Sequence, residues 1–322
     1  MTTWLVTGGA GYIGAHVVRA FQAEGITPVV IDDLSSGHRE FVPEGVEFVE
    51  GSILDTDLVA ETLTRTGCAG VMHIAGFKYA GVSVERPLHT YAQNVTGTVS
   101  VLDAMARAGV DAYVFSSSAS VYGTPDVDIV TEDQPLHPES PYGETKLIGE
   151  WLAADAVRAR PALRAVCLRY FNVVGSGTDE VYDSSPHNLF PLVIEALLAG
   201  KTPHINGDDY ATPDGTCVRD YVHVADLAIS HVAAAKALAD GRELLSAYNL
   251  GSGDGLSVAQ IMDAMARMTG HDFVPTVGPR RPGDPARIVA DGTAAARDLD
   301  WTMRWTVDEM VKSAWSARVA HS

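Results

Sequence analysis

Three features of the 322-residue chain predict an α/β fold, with a doubly wound parallel sheet followed by a smaller mixed α/β lobe. Short apolar runs alternate with stretches of helical apolar spacing through the first half. Such strand–helix–strand repetition makes a parallel sheet covered on both faces. The first passage from strand to helix is GGAGYIG, with glycines at positions 8, 11 and 14. After Gly175 the rhythm breaks into loops rich in Gly, Pro and Asp.

Trp4–Thr7 is the first strand; Ile13, Val17, Val18 and Phe21 then give the next segment one apolar face, which Gly25 closes. Pro28–Asp33, Val46–Gly51, Val71–Gly76, Ala112–Ser118 and Ala165–Gly175 read as further strands. Helical patterns separate them, notably over Val95–Ala108 and Tyr142–Ala159. Ser140 is a good N-cap and Pro141 suits the first helical position, which fixes where the second of these begins. Beyond Gly175, the segments Ser176–Ser185, Gly207–Gly215 and Gly278–Pro285 are expected as loops around helices Leu189–Leu198 and Val258–Met268. Segments 221–224 and 248–251 again look like core strands. The expected division is a nucleotide-binding domain over residues 1–172 and a second lobe over 173–322, with 221–250 returning to the first.

Gly8-x-x-Gly11-x-x-Gly14 allows a tight turn and the close approach of a pyrophosphate to a helix N-terminus. A glycine triplet alone is also an ordinary strand–helix turn. Here Asp32 ends the second strand, where an acid holds the adenosine ribose hydroxyls of a Rossmann-type site. An acid there repels a 2′-phosphate, so NAD is expected rather than NADP.

Ser116, Ser117 and Ser118 end a strand, where an open α/β sheet presents its ligands. The stretch SPYGETK puts Tyr142 and Lys146 one turn apart on one helix face. In a chain with 11 tyrosines and five lysines, Tyr-x-x-x-Lys arises by chance roughly once in six such sequences, so its setting must give it meaning. A phenol titrates near 10, too high for a base at neutral pH. A lysine ammonium and an oxidised nicotinamide beside it are expected to pull that value down. Tyr142 then takes a proton from a substrate hydroxyl while hydride leaves the same carbon, and Ser118 orients the oxygen.

This set resembles the extended short-chain dehydrogenase/reductase superfamily. The blocks TGGAGYIGAH, VVIDDLSSG, HIAGFKYAGVSVERPL, NVTGT, FSSSASVYG, SPYGETK, LRYFNVVG, NLFPL, DDYATPDGTCVRDYVHVADLA, YNLGSG and RRPGD are similar, in order and almost end to end, to the UDP-glucose 4-epimerase (UDP-galactose 4-epimerase) family. Beside the glycines, the resemblance implies NAD contacts at Tyr12, Ile13, Asp32, Asp33, Leu34, Ser35, Ser36 and Gly37. It adds Ser52, Ile53, Ile74, Ala75, Gly76, Lys78, Asn94, Ser116, Tyr170 and Phe171, with Ser118, Tyr142 and Lys146 catalytic. It implies UDP-sugar contacts at Lys78, Asn172, Asn188, Leu189, His204, Ile205, Asn206, Arg219, Arg281 and Asp284, with Ser118 and Tyr142 at the sugar. Ser52 stands where the family has Asp beside the adenine, and Val173 where it has proline. Ile288 falls on a wall position that bears on N-acetyl sugars, and it leaves substrate breadth open.

The implied reaction is 4-epimerisation of UDP-hexoses, UDP-galactose to UDP-glucose, through a transient 4-keto sugar that turns over and takes back the same hydride and proton. UDP-N-acetylglucosamine and UDP-xylose stay open as substrates. A 4,6-dehydratase needs an acidic pair beside the serine, where this chain has Ala119 and Ser120. A non-catalytic nucleotide sensor on the same fold could dispense with the tyrosine or the lysine; both are kept. The family's pairing implies a homodimer through Val95–Ala108 and Tyr142–Ala159.

Composition narrows the partners. A formal charge of −18 and a pI of about 4.9 exclude a general nucleic-acid or anionic-membrane binder. A diphosphate then needs local positive charge, which Lys78, Arg219 and Arg281 supply inside the matching blocks. Cys68, Cys167 and Cys217 form neither a disulfide framework nor a C-x-x-C metal site, so no metal and free thiols in a reducing cytoplasm are expected. The N-terminus carries no basic leader, and no apolar run approaches the ~18–20 residues of a spanning helix.

Overall fold

A computed structural model describes residues 2–281 and 285–322. Strand β1 (Thr3–Thr7) runs through the Gly8–Gly14 turn into helix α1 (Tyr12–Ala23), and β2 (Thr27–Asp32) and β3 (Glu47–Glu50) add in parallel on one side. Helix α2 (Thr56–Thr66) starts at Asp55, whose carboxylate accepts from Leu58 N; such a cap contributes about 1 kcal/mol. It leads to β4 (Gly70–His73), which pairs with the other side of β1. Short helices α3 (Ala80–Glu85) and α4 (Pro87–Tyr91) run into a π-helical turn at Ala92–Thr96 and then α5 (Gly97–Ala108). β5 (Ala112–Ser116), α6 (Pro141–Ala159) and β6 (Arg164–Tyr170) follow.

The next segment, β7 (Asn172–Val174), leaves the main sheet. The expected strand Ala165–Gly175 is therefore two strands with a break at Phe171. Its second part pairs instead with β10 (Tyr221–His223), which follows α7 (Leu189–Leu198), β8 (His204–Asn206) and β9 (Val218–Arg219). Asn172 N donates to Asp220 O at 3.0 Å, and this bond draws the chain away. Helix α8 (Val224–Ala239) then brings the chain back to β11 (Ala247–Leu250), which pairs with β6. The rest is β12 (Leu256–Ser257), α9 (Val258–Thr269), β13 (Thr276–Gly278), β14 (Arg287–Ile288), α10 (Thr293–Leu299) and α11 (Val307–Val319).

The main sheet is seven-stranded and parallel, in the order β11-β6-β5-β4-β1-β2-β3. Side chains alternate across it. Val6, Val30, Met72, Val114 and Val166 meet Val17, Val18 and Phe21 of α1 and Leu227 and Val232 of α8. Leu5, Val29, Ile31, Val71, Tyr113 and Phe115 meet Val59 and Leu63 of α2, Val101 and Met105 of α5 and Ala153 of α6. Each fully buried Val, Leu or Phe contributes roughly 1.5–3 kcal/mol, which is why strands covered on both faces read as continuous apolar runs. A third core joins α7, α9 and α11 through Phe190, Ile194, Ile261, Met265, Met310 and Val311. No helix among the described residues is long and apolar enough to cross a membrane.

The strand order reverses between β1 and β4, and the crevice of such a sheet opens beyond the carboxyl ends of its strands at that point. Of the residues singled out from the sequence, the glycine turn, residues 32–37, Ser52, Ile53 and residues 74–78 and 116–118 lie at those ends.

Candidate active site

At the first turn Gly8 has φ +72°, and a Cβ there would stand 2.8 Å from Ala75 N. A Cβ on Gly14 would stand 2.1 Å from Gly8 O, so neither position admits another residue without backbone movement. Helix α1 begins at Gly11 with no side-chain cap and no acid in its first turn. Its leading N–H groups and the positive end of its dipole thus suit a diphosphate. Asp32, buried, ties this turn to the next loop: Ala10 N donates to Oδ2 and Leu34 N to Oδ1, each at 2.9 Å. Burial raises its pKa, against the pull of those two bonds. Ser35 N in turn donates to Asp33 Oδ1 at 3.0 Å. The uncapped helix, the glycine turn and the carboxylate at the end of β2 fit the phosphate and ribose of a dinucleotide.

Ser52, Ile53 and the 74–78 loop, also expected at the cofactor, follow the ends of β3 and β4. Ile74 N and Ala75 N donate to Thr7 Oγ1 at 3.1 and 3.2 Å, and Ser52 Oγ accepts from Leu54 N at 3.3 Å. Ile53 is buried, and Lys78 is exposed with Nζ 5.6 Å from the Tyr79 ring. Asn94, in the π-helical turn, accepts from Phe77 N at 2.6 Å and donates to Phe77 O at 3.0 Å and Thr145 Oγ1 at 2.9 Å. Its amide is a clamp between the 74–78 loop and α6, a role the sequence did not announce.

Tyr142, Lys146 and Ser118 come together. Ser140 accepts from Gly143 N at 3.2 Å and starts α6 as the sequence predicts. Both helix residues are buried, with Lys146 Nζ 5.8 Å from the centre of the Tyr142 ring. Lys146 Nζ donates to Ser116 O at 2.8 Å. Burial lowers Lys146 to a pKa of about 8, against the opposing pull of Glu150. Burial also raises Tyr142, which a hydrogen bond with Ser118 partly offsets. The protein's own groups therefore hold the phenol above its ordinary value, and the expected depression falls to a cation supplied from outside the chain. Tyr170 lies near enough for Tyr142 to act on its titration; burial first and Tyr142 second raise its pKa, while a hydrogen bond with Ser116 lowers it. Ser116 Oγ also bonds His231 Nε2 at 2.9 Å, and burial brings His231 down to about 4.

Three supports were not singled out in the sequence. Ser83 of α3 accepts from Tyr142 N at 3.1 Å, capping the catalytic helix from another element. Glu150 of α6 and Arg169 of β6 form a buried ion pair, with Oε2 to Nη2 at 2.6 Å. Ser117 donates to the same Glu150 at 2.5 Å. Glu150 follows Lys146 by four residues on a helix face already carrying Tyr142, and that spacing was the available signal.

Of the residues expected at UDP, Asn188, Leu189, His204–Asn206, Arg219 and Arg281 come after β7. Asn188 precedes α7 and donates to Asp183 Oδ2 at 2.8 Å, with Leu189 next to it. His204, Ile205 and Asn206 form β8, and His204 Nδ1 bonds Thr276 Oγ1 at 3.0 Å. Arg219 Nη1 donates to Pro285 O at 2.7 Å, and Arg281 is exposed. Asn172 begins β7 and Phe171 is buried before it. Asp284 lies outside the described residues.

Comparison with known proteins gives consistent relatives. Residues 4–251 match the model of the NAD dependent epimerase/dehydratase family. A UDP-glucose 4-epimerase of Lactobacillus helveticus is 42% identical over 322 residues, covering 98% of this chain and 97% of its own. The crystal structure of UDP-glucose 4-epimerase from Brucella ovis in complex with NAD is 40% identical, with a TM-score of 0.94 and 98% of each chain covered. A UDP-glucose-4-epimerase from Stenotrophomonas maltophila, with bound NAD and formylated UDP-arabinopyranose, is 36% identical at a TM-score of 0.95, covering 100% of this chain and 99% of that one.

Proposed function

Because the chain belongs to the NAD dependent epimerase/dehydratase family, we propose that it is an isomerase that interconverts UDP-galactose and UDP-glucose at C4 with NAD as its cofactor. The observation that carries this reading is the buried cluster of Ser118, Tyr142 and Lys146, with the Lys146 ammonium 5.8 Å from the centre of the Tyr142 ring. The α1 N-terminus holds the cofactor's diphosphate and Asp32 its adenosine ribose. Bound NAD supplies the hydride acceptor for C4 and the positive charge that favours the Tyr142 phenolate.

Tyr142 removes the C4 hydroxyl proton as hydride leaves C4, and returns that proton to the C4 oxygen once the 4-keto ring has turned and hydride has come back to the other face of C4. Ser118 keeps the oxygen within reach of the phenol, and Lys146 supplies the permanent neighbouring charge. Arg219 and Arg281 grip the substrate diphosphate through their planar donor forks. Asn172, Asn188, Leu189 and His204–Asn206 line the nucleotide end, so the sugar itself is held loosely enough to turn.

The same reading divides the chain into an NAD-binding part over residues 1–172 and a substrate lobe beyond, with α8 and β11 serving the first. It makes the protein a homodimer through α5 and α6, where Val99 is 46% and Trp151 58% exposed. Three free, buried cysteines suit the cytoplasm.

The test is incubation of the purified protein, without added NAD, with UDP-glucose, UDP-galactose, their N-acetyl forms and UDP-xylose, followed by product separation. UDP-glucose and UDP-galactose interconvert, and Tyr142→Phe lowers turnover by about 10³-fold while NAD stays bound. Turnover retained in Tyr142→Phe refutes the base; none in the parent on any UDP-sugar leaves a nucleotide-binding protein without this chemistry.

A further inference from the structure

The reaction as read uses Tyr142 and Lys146 but leaves unexplained the charged pair that Glu150, one turn further along the same helix, forms with Arg169 of β6. Tyr142, Lys146 and Glu150 are spaced four residues apart along α6, so they share one face. All three are buried, and so is Arg169. Glu150 takes Arg169 bidentately, Oε1 from Nε at 2.9 Å and Oε2 from Nη2 at 2.6 Å. A buried pair of this kind adds little stability over apolar side chains of the same volume. Its connections point to another use. Oε1 also accepts from Ser117 Oγ at 2.5 Å, and Ser117 stands between the carbonyl that receives the Lys146 ammonium and the serine that meets the Tyr142 phenol. Arg169 is itself braced, donating through Nη1 to Tyr122 Oη at 2.8 Å and Glu132 O at 3.1 Å.

We propose that Glu150 is a positioning residue for the reaction: it pins the 116–118 strand end against α6, and its carboxylate keeps the Lys146 side chain in its ammonium form. The proposal rests on the reading of Tyr142 and Lys146 as the reacting pair.

The surroundings of Lys146 leave this task to Glu150. On its own helix the ionisable neighbours are Tyr142 and Glu150. From β4 comes His73, which burial and then Lys146 itself hold down to about 3, so it is neutral. β5 offers the Phe115 ring, 5.1 Å from Nζ, and the Ser116 carbonyl. β6 brings Tyr170 and Cys167, both held neutral by burial, and the cation Arg169. Glu150 is the one carboxylate acting on Lys146 from these elements. With Glu150 neutral, the ammonium faces burial without compensation, so Lys146 loses its proton at lower pH.

The experiment labels the five lysines at Cε with ¹³C and follows their shifts with pH in the NAD-loaded protein, Lys146→Arg identifying the resonance. In the parent, Lys146 titrates near 8. In Glu150→Gln, which keeps the shape, the midpoint falls by about one unit, and the alkaline limb of kcat for UDP-galactose moves down with it while KM changes less than about two-fold. Ser117→Ala leaves the Lys146 midpoint in place and lowers kcat by about ten-fold, which separates the strand pin from the charge. It also keeps the test open if Glu150→Gln fails to fold. An unmoved Lys146 midpoint in Glu150→Gln, or full kcat in Ser117→Ala, overturns the proposal. Failure of the underlying reading shows separately, as turnover retained in Tyr142→Phe.

Discussion

On the sheet side of the crevice the groups expected to meet NAD are held by backbone and buried side chains. Asp32 bridges two loops, Asn94 makes three bonds, and α6 is capped both by its own Ser140 and by Ser83 from α3. On the facing side the groups expected to meet UDP sit on β8 and β9, strands of three and two residues, and at the start of α7. Among the described residues the side chains of Asn188 and His204 there each bond one neighbour, and Arg281 lies in a loop. A parallel sheet covered on both faces can set atoms to within a fraction of an ångström. Short paired strands over a separate core hold their side chains less tightly, and local opening draws on such regions. The proposed reaction, with a cofactor held in place and a sugar that turns, asks for this asymmetry.

Substitutions that break the comparison are expected to rank accordingly. Gly14→Ala sets a methyl against Gly8 O, which the turn cannot move, and we expect a loss of about 3 kcal/mol, a Tm lower by roughly 5 °C and protein purified without NAD. Normal Tm and full NAD content by absorbance would show that the turn is soft. Arg219→Met acts on the looser side. KM for UDP-galactose rises about 30-fold with kcat within about two-fold, since removing a charge-assisted contact to phosphate costs about 2 kcal/mol. A fall in kcat alone would move Arg219 to the reacting end.

Ser83→Ala sharpens the comparison from within the rigid half. The buried Tyr142 N–H loses its acceptor, stability falls by about 1 kcal/mol, and kcat drops several-fold with KM unchanged, as steady-state kinetics will report. The smallest effect belongs to Ser52→Asp, which adds a carboxylate where the family places one beside adenine. NAD release, followed by fluorescence, slows by about two- to five-fold with no change in kcat. Faster release would mean that the adenine lies elsewhere.

How far the sequence foretold this arrangement depended on whether the signal was local. Helix Leu189–Leu198 and the Ser140–Pro141 start of α6 were readable because caps and periodicity act within a few residues. The break at Phe171 was not, because it depends on a bond to Asp220, far along the chain, and no Gly or Pro interrupts the run before Gly175. The π-helical turn at Ala92–Thr96 was likewise not foreseen, the helical pattern having been read only from Val95. In the site, Tyr142, Lys146 and Ser118 were legible from type and spacing. Glu150 and Arg169 were not, since in a chain with 41 acidic and 23 basic residues any one of them reads as surface charge until its burial is known. The phenolate expectation counted on the Lys146 ammonium and left out desolvation, which acts on Tyr142 first and raises it.

Helix α1 touches more than the nucleotide turn. Tyr12 donates its phenolic proton to Gly175 O at 2.6 Å, and Gly177 N donates to His16 Nε2 at 3.0 Å, one turn further on. The helix that greets the dinucleotide is thus tethered to the crossover by which the chain leaves for the second lobe. Whatever steadies one end of α1 quiets residues 175–177 as well, and a protease probing that crossover reads cofactor occupancy from a distance.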